Sequence, residues 1–209
     1  MMMTAIPPSR QVLTECVRTA TAAPSLHNSQ PWLFRIAGPT VEVYADPSRR
    51  LPVLDPDGRE QLISVGAAIF NLRLAIRQAG YRCHSTAFPD RKKPDLVARV
   101  YAAGPAAATP AVEALSAAVP HRHTNRFPFA HTPVPDDVLD HLADAARREG
   151  ATLTVATAAQ PGYDPAPRPG SRTVAAGPAG LSGGAGALVW WRRPARRRPD
   201  LGGRALGRP

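Results

Sequence analysis

Apolar residues at positions 12, 13, 16, 17 and 20 share one side of a 3.6-residue period, which predicts a helix over residues 10–23. Ser9 is placed to cap it, and Pro24 ends it by disfavouring helical geometry at the residue before. Short apolar runs at 32–36 and 41–45 read as two strands, and Gly38-Pro39 between them punctuates a hairpin. Residues 46–58 are polar and rich in Asp, Pro and Gly, the composition of a looped connection. Residues 59–80 carry the strongest helical pattern: Leu62, Val65, Ile69, Leu72 and Ile76 recur at three- and four-residue steps, and Ile63, Phe70 and Leu74 widen the apolar surface. No charge occurs from Gln61 to Leu72, so most of this helix's circumference is expected to be buried, with Gly80 as its stop. Strands are expected at 81–88 and 96–102, joined by a turn at 89–94, followed by an Ala-rich helix over 106–119 that ends at Pro120. Helices interleaved with hairpin-like strand pairs predict an α+β fold.

Composition changes this picture mainly at the C-terminal end. The 209 residues suffice for one domain with a sizeable core, and 44% hydrophobic residues is ordinary for a globular protein. The net charge of +10 suggests a nucleic-acid partner until it is located. Residues 161–209 hold nine Arg and no Lys against Asp164 and Asp200, and so carry +7 of that charge. In this stretch Gly, Ala, Arg and Pro make up 35 of 49 residues, and Leu188-Val189-Trp190-Trp191 is its one apolar cluster. The expectation is a disordered tail extraneous to the fold, left by truncation or by a shifted reading frame. A basic tail that binds nucleic acid, with Trp190 and Trp191 stacking on bases, is the alternative. No apolar run approaches the ~20 residues that span a bilayer, and residues 1–10 show no secretory signal. Cys16 and Cys83 share no metal or redox spacing, so a reducing, cytoplasmic setting is expected, with both thiols buried.

Two stretches carry candidate chemistry. Residues 23–32, Ala-Pro-Ser-Leu-His-Asn-Ser-Gln-Pro-Trp, put Ser25, Asn28, Ser29 and Gln30 between a helix and a strand. The amides of Asn28 and Gln30 each offer donors and an acceptor, which suits the edge of a flat heterocycle that alternates C=O and N–H groups. The alternative is a loop that bonds only itself, anchored by Trp32. The second stretch is His121-Arg122-His123-Thr124-Asn125-Arg126-Phe127-Pro128-Phe129. If helical, it sets Arg122 and Arg126 on one face, and paired guanidiniums with a Thr hydroxyl make a phosphate-binding set. A solvated basic cluster is the alternative. His121, His123 and His131 lack the companion Cys or carboxylates of a metal site, so no metal is expected.

Pro24-Ser25, Asn28-Ser29-Gln30-Pro31-Trp32 and Phe34 resemble the P-S-x-x-N-S-Q-P-W-x-F signature of FMN-dependent nitroreductases, whose loop lies against the isoalloxazine ring. The resemblance is closer to the Acg branch, flavoproteins in which two nitroreductase-like halves are fused, and runs from about Gln11 to about Val155. Arg122-x-Thr124-x-Arg126 resembles the R-x-S-x-R element that holds the FMN phosphate and ribityl chain. Pro133-Val134-Pro135, a helix over 136–149 and a strand over 151–156 follow in the family's order. The resemblance implies a nitroreductase-like first half at 1–120, the beginning of a second half at 121–160, and the tail at 161–209.

It also assigns Ser25, Asn28 and Gln30 to the ring side of FMN, and Arg122, Thr124 and Arg126 to the phosphate side. One set of each makes one site, and no residue is assigned as an acid or base. The implied function is an FMN-binding oxidoreductase that reduces nitro- or quinone-type acceptors with NAD(P)H as reductant. A non-catalytic FMN carrier and an inactive fragment are the alternatives. The implied partners are a small-molecule electron acceptor and, because the second half is incomplete, a second copy of the chain. Neither nucleic acid nor a membrane is expected as a partner.

Overall fold

The computed structural model describes residues 6–127, 133–156 and 188–192, the last of these as backbone only. The chain divides into two compact units, residues 1–126 and 127–209. The first unit holds α1 (Arg10–Ala20), β1 (Trp32–Ala37), β2 (Thr40–Ala45), α2 (Arg59–Gln78), β3 (Tyr81–Ala87), β4 (Leu96–Pro105) and α3 (Pro110–Ala118). Its four strands form one antiparallel sheet in the order β1-β2-β4-β3. The second unit holds α4 (Asp136–Arg148) and an antiparallel pair, β5 (Thr152–Ala156) with β6 (Leu188–Arg192). Apart from β6, which coincides with the one apolar cluster of the expected tail, residues 161–209 lie outside the described residues.

Each element follows from local chemistry. Ser9 caps α1 by accepting from the Val12 amide at 3.3 Å. The helix ends at Ala20 and not Ala23, because Ala22 and Ala23 bond three residues back, to Thr19 and Ala20, and so tighten the last turn ahead of Pro24. At the β1–β2 hairpin Gly38 takes φ +56° and Pro39 follows, the placement a two-residue II′ turn favours. Helix α3 starts at Pro110, later than expected. Thr109 caps it by accepting from Val112 at 3.4 Å, and Pro110 is tolerated at the first helical position. A residue before proline is held extended, so residues 106–109 stay outside the helix and β4 runs on to Pro105. In α4, Asp136 and Asp137 occupy the first turn and Arg147 and Arg148 the last, each sign matched to the helix dipole.

The core lies between one face of the sheet and helices α1 and α2. Leu13, Val41, Val43, Val65, Leu72 and Val100 are fully buried there, with Trp32 and Ile76 nearly so. Cys16 is buried and Cys83 only half-buried, both thiols are free, and burial pushes both up, Cys16 to about 11. The expectation that α2 is buried around most of its surface fails in its first half. Leu62 is 39% and Ile63 54% exposed, and Gly66 faces open space. Among the described residues no helix is long and apolar enough to cross a membrane.

The opposite face of the sheet carries one buried charge. Glu42, 4% exposed, is flanked across the sheet by Arg35 on β1 and Arg99 on β4. It accepts from Tyr44 Oη at 2.6 Å, Arg35 Nε at 2.8 Å and Arg99 Nε at 3.0 Å. The Tyr44 hydroxyl first, and the two guanidiniums after it, hold the Glu42 carboxyl at about 2 against burial. A depressed carboxyl stabilises the fold fully above its ordinary value, and that stabilisation is lost as pH falls toward the folded value. The urea midpoint of the parent should therefore fall more steeply than that of Glu42→Gln as pH drops from 4.5 to 2. Parallel profiles would remove Glu42 from the acid sensitivity of the fold.

Candidate functional site

The loop between α1 and β1 is held in an unusual backbone. His27, Asn28 and Gln30 have φ of +49°, +57° and +47°, all left-handed and none a glycine. Such conformations cost roughly 1–2 kcal/mol for an ordinary residue, with Asn the most tolerant. They persist where surrounding contacts over-determine them, often at ligand sites. Inside the loop, the Gln30 amide donates to Ser25 Oγ at 3.0 Å, and the amides of Asn28 and Ser29 donate to the carbonyls of Ser25 and Leu26, each at 3.0 Å.

The Trp32 amide donates to the Gln30 carbonyl at 2.9 Å, and further contacts come from outside the loop. The Leu26 amide donates to Ser64 Oγ on α2 at 3.2 Å, while that hydroxyl donates to the Glu60 carbonyl at 2.8 Å. Arg49 Nη1 donates to the Ser29 carbonyl at 2.9 Å and lies 3.4 Å from that of Gln30. The Asp46 amide donates to the Pro31 carbonyl at 3.1 Å, and the Asp46 carbonyl accepts from Gln61 Nε2 at 2.7 Å. The Gln61 amide in turn donates to Asp55 Oδ2 at 2.8 Å. Asp46 Oδ1 accepts from the Ser48 amide and hydroxyl, which hold its carboxyl below the usual range, and Oδ2 faces Arg49 Nε at 3.5 Å.

Asp46, Asp55, Gln61 and Ser64 are all buried. Reading of the sequence passed over these four and Arg49 as binding chemistry, although one signal was present. Gln61 and Ser64 sit three apart in the uncharged run of α2, polar residues on a largely apolar buried stripe that also holds Asn71.

The structure brings Ser25, Asn28 and Gln30 into this one loop and distinguishes their roles. Ser25 Oγ is engaged in closing the loop, Gln30 is half-buried with Nε2 3.4 Å from Asn28 Oδ1, and Asn28 is exposed. Arg122, Thr124 and Arg126 follow a short 3₁₀ turn, Val119–His121. The backbone is extended at Arg122, with ψ 126°, so the two arginines do not share a helical face. All three are exposed, Arg122 Nη1 lies 3.5 Å from Thr124 Oγ1, and no described carboxylate pairs with either arginine. No hydrogen bond of Ser25, Asn28 or Gln30 reaches residues 122, 124 or 126. A separate cleft of about 520 Å³ between α1, α2 and α3, lined by Val12, Cys16, Ala75, Gln78 and Ser116 among others, touches neither set. Chemically, the loop offers an outward amide, and residues 122–126 offer cationic groups and a hydroxyl suited to an anion.

Comparison with known proteins shows what the chain resembles. No family model matches the chain. It is 36% identical over 144 residues to a Mycobacterium tuberculosis protein named "Putative NAD(P)H nitroreductase Rv3131", covering 69% of this chain and 40% of that protein. It is 32% identical over 144 residues to "Putative NAD(P)H nitroreductase acg" of the same organism, covering 69% and 44%. A solved "putative nitroreductase in complex with FMN" from Desulfovibrio desulfuricans aligns over 63% of this chain and 90% of that one, at 17% identity and a TM-score of 0.43. The chain is a homologue of these proteins named as nitroreductases, with Acg among them, over 69% of its length. It spans less than half the length of these two relatives.

Gln61→Leu keeps the bulk of the side chain but removes one of the two donors to the Asp46 carbonyl, the other being the Arg49 amide at 3.1 Å. The expected loss is about 0.5–1.5 kcal/mol of unfolding free energy, read from urea titration. Loss of amide protection at Asn28, Ser29, Gln30 and Trp32 should accompany it. An unchanged midpoint would show that the bond contributes nothing to the loop.

Proposed function

We propose that the chain binds FMN and acts as an oxidoreductase that passes electrons from NAD(P)H to a nitro- or quinone-type acceptor. The observation that carries this reading is the strained loop at 25–30, whose three left-handed residues are fixed from outside while the Asn28 amide is left exposed. The fit to FMN can be judged on these residues alone. The ring edge needs donors and acceptors on a rigid loop, and Asn28 and Gln30 supply them. The phosphate needs uncompensated cations, and Arg122 and Arg126 are exposed with no described carboxylate beside them. The names of the sequence relatives support the same chemistry.

In this reading Asn28 and Gln30 hold the ring edge, Ser25 keeps the loop closed, and Arg122, Thr124 and Arg126 hold the phosphate. Bound flavin supplies the electron exchange, and the residues of the chain bind and orient it. The two free thiols support a reducing, cytoplasmic setting.

Arg122→Ala should weaken FMN binding by about 1.5–3 kcal/mol, roughly ten- to a hundredfold, read by quenching of FMN fluorescence. Asn28→Leu should weaken it by about 1–3 kcal/mol with little change in the thermal midpoint of the flavin-free protein. A fall in that midpoint with unchanged affinity would instead make Asn28 a loop residue only. Stopped-flow reduction by NADPH separates an enzyme from a carrier, which would hold FMN without accepting electrons.

We further propose that two copies associate through α2. Leu62, Ile63, Gly66 and Phe70 form an uncharged, partly exposed stripe, and the glycine lets a second backbone approach closely. Light scattering should give a dimer for the parent and a monomer for Ile63→Glu. A monomeric parent would discard this pairing.

A further inference from the structure

We propose that Arg49 is the positioning residue of the flavin-facing loop. Its guanidinium draws the carbonyls of Ser29 and Gln30 inward and so turns the Asn28 amide out toward the ring. This rests on the FMN reading above and adds a residue that carries neither the ring-side nor the phosphate-side chemistry. Arg49 stands in the short turn Pro47–Arg49, which follows β2 directly. One nitrogen, Nη1, donates to Ser29 at 2.9 Å and lies 3.4 Å from the Gln30 oxygen, while Nε faces Asp46 Oδ2 at 3.5 Å.

The two carbonyls lie on either side of Gln30, one of the three left-handed residues, and close to Asn28, another. A single cation beside both oxygens favours a backbone in which they converge, which an unassisted L-residue chain disfavours. Asp46 fixes the guanidinium from the other side, and Asp46 is itself anchored to α2 through Gln61 and to the loop through Pro31. The side chain of Arg49 is 52% exposed, so removing it leaves no buried hole. Its effect should therefore appear in the loop and its ligand and not in the core.

The test compares Arg49→Ala with Arg59→Ala, a control that removes an equal charge from an exposed arginine paired only with Glu60. Amide exchange of the flavin-free protein is read at residues 28–30, and FMN affinity and the visible absorption band of bound flavin are read in parallel. Arg49→Ala is expected to speed exchange at those amides and to lower FMN affinity, each about tenfold or more, and to shift the flavin band, with the thermal midpoint kept. Arg59→Ala is expected to match the parent in every readout.

Unchanged exchange in Arg49→Ala overturns the positioning role. So does an FMN affinity that falls equally in both variants, because net charge would then be the cause. A parent that takes up no FMN overturns the functional reading and the flavin side of this proposal, while exchange still decides whether Arg49 holds the loop.

Discussion

Asp46 is the junction on which the site depends. Its amide, carbonyl and both carboxylate oxygens are all engaged, and between them they reach three pieces of chain: the exit of the loop, the first turn of α2, and the 47–49 turn with its arginine. Buried polar groups are costly when unpaired and rigidifying when fully paired. Here the pairing is complete, and the rigidity is spent on a conformation that the sequence of the loop alone would not choose. Three non-glycine residues in left-handed geometry need an external frame, and the end of β2 with the start of α2 supplies it.

The chain uses charge in two contrasting ways. Glu42 is buried within a closed set of donors from three strands, and that closure marks it as structural. Arg122 and Arg126 are exposed with no described carboxylate drawn up to them, the condition in which a cation keeps its field for a ligand. The total charge of the chain distinguishes neither case. What matters is whether each group has already been answered by its neighbours.

Much of the first unit was legible in the sequence. Periodicity located α1, α2 and the four strands, and Gly38-Pro39 marked the hairpin. Where boundaries shifted, local backbone chemistry decided: Thr109-Pro110 delayed α3, and short-range bonds closed α1 early. The burial of α2 was over-read, because an uncharged helix tells of an apolar environment without saying which element provides it. The motif residues in the loop were readable as a set, but their division of labour was not. Ser25 closes the loop while Asn28 faces outward, and that depends on backbone angles that no residue type dictates. The partners of Arg49, Gln61 and Ser64 were hidden for a related reason: they are main-chain groups 15 to 38 positions away, which leave no mark in spacing.

The strand order β1-β2-β4-β3 also bears on how the sheet can assemble. Each half of it is a pair of neighbouring strands, β1 with β2 and β3 with β4, and each pair can form from local contacts alone. Only the β2–β4 seam joins them, and the Arg99–Glu42 bond across it spans 57 positions. The entropy lost on closing such a span grows only with the logarithm of its length, yet it must be given up before the seam returns any energy. Helix α2 lies within the span, and forming it shortens the free chain to be closed. The same helix carries Gln61 and Ser64, so the framework that shapes the loop is completed when the two halves of the sheet meet.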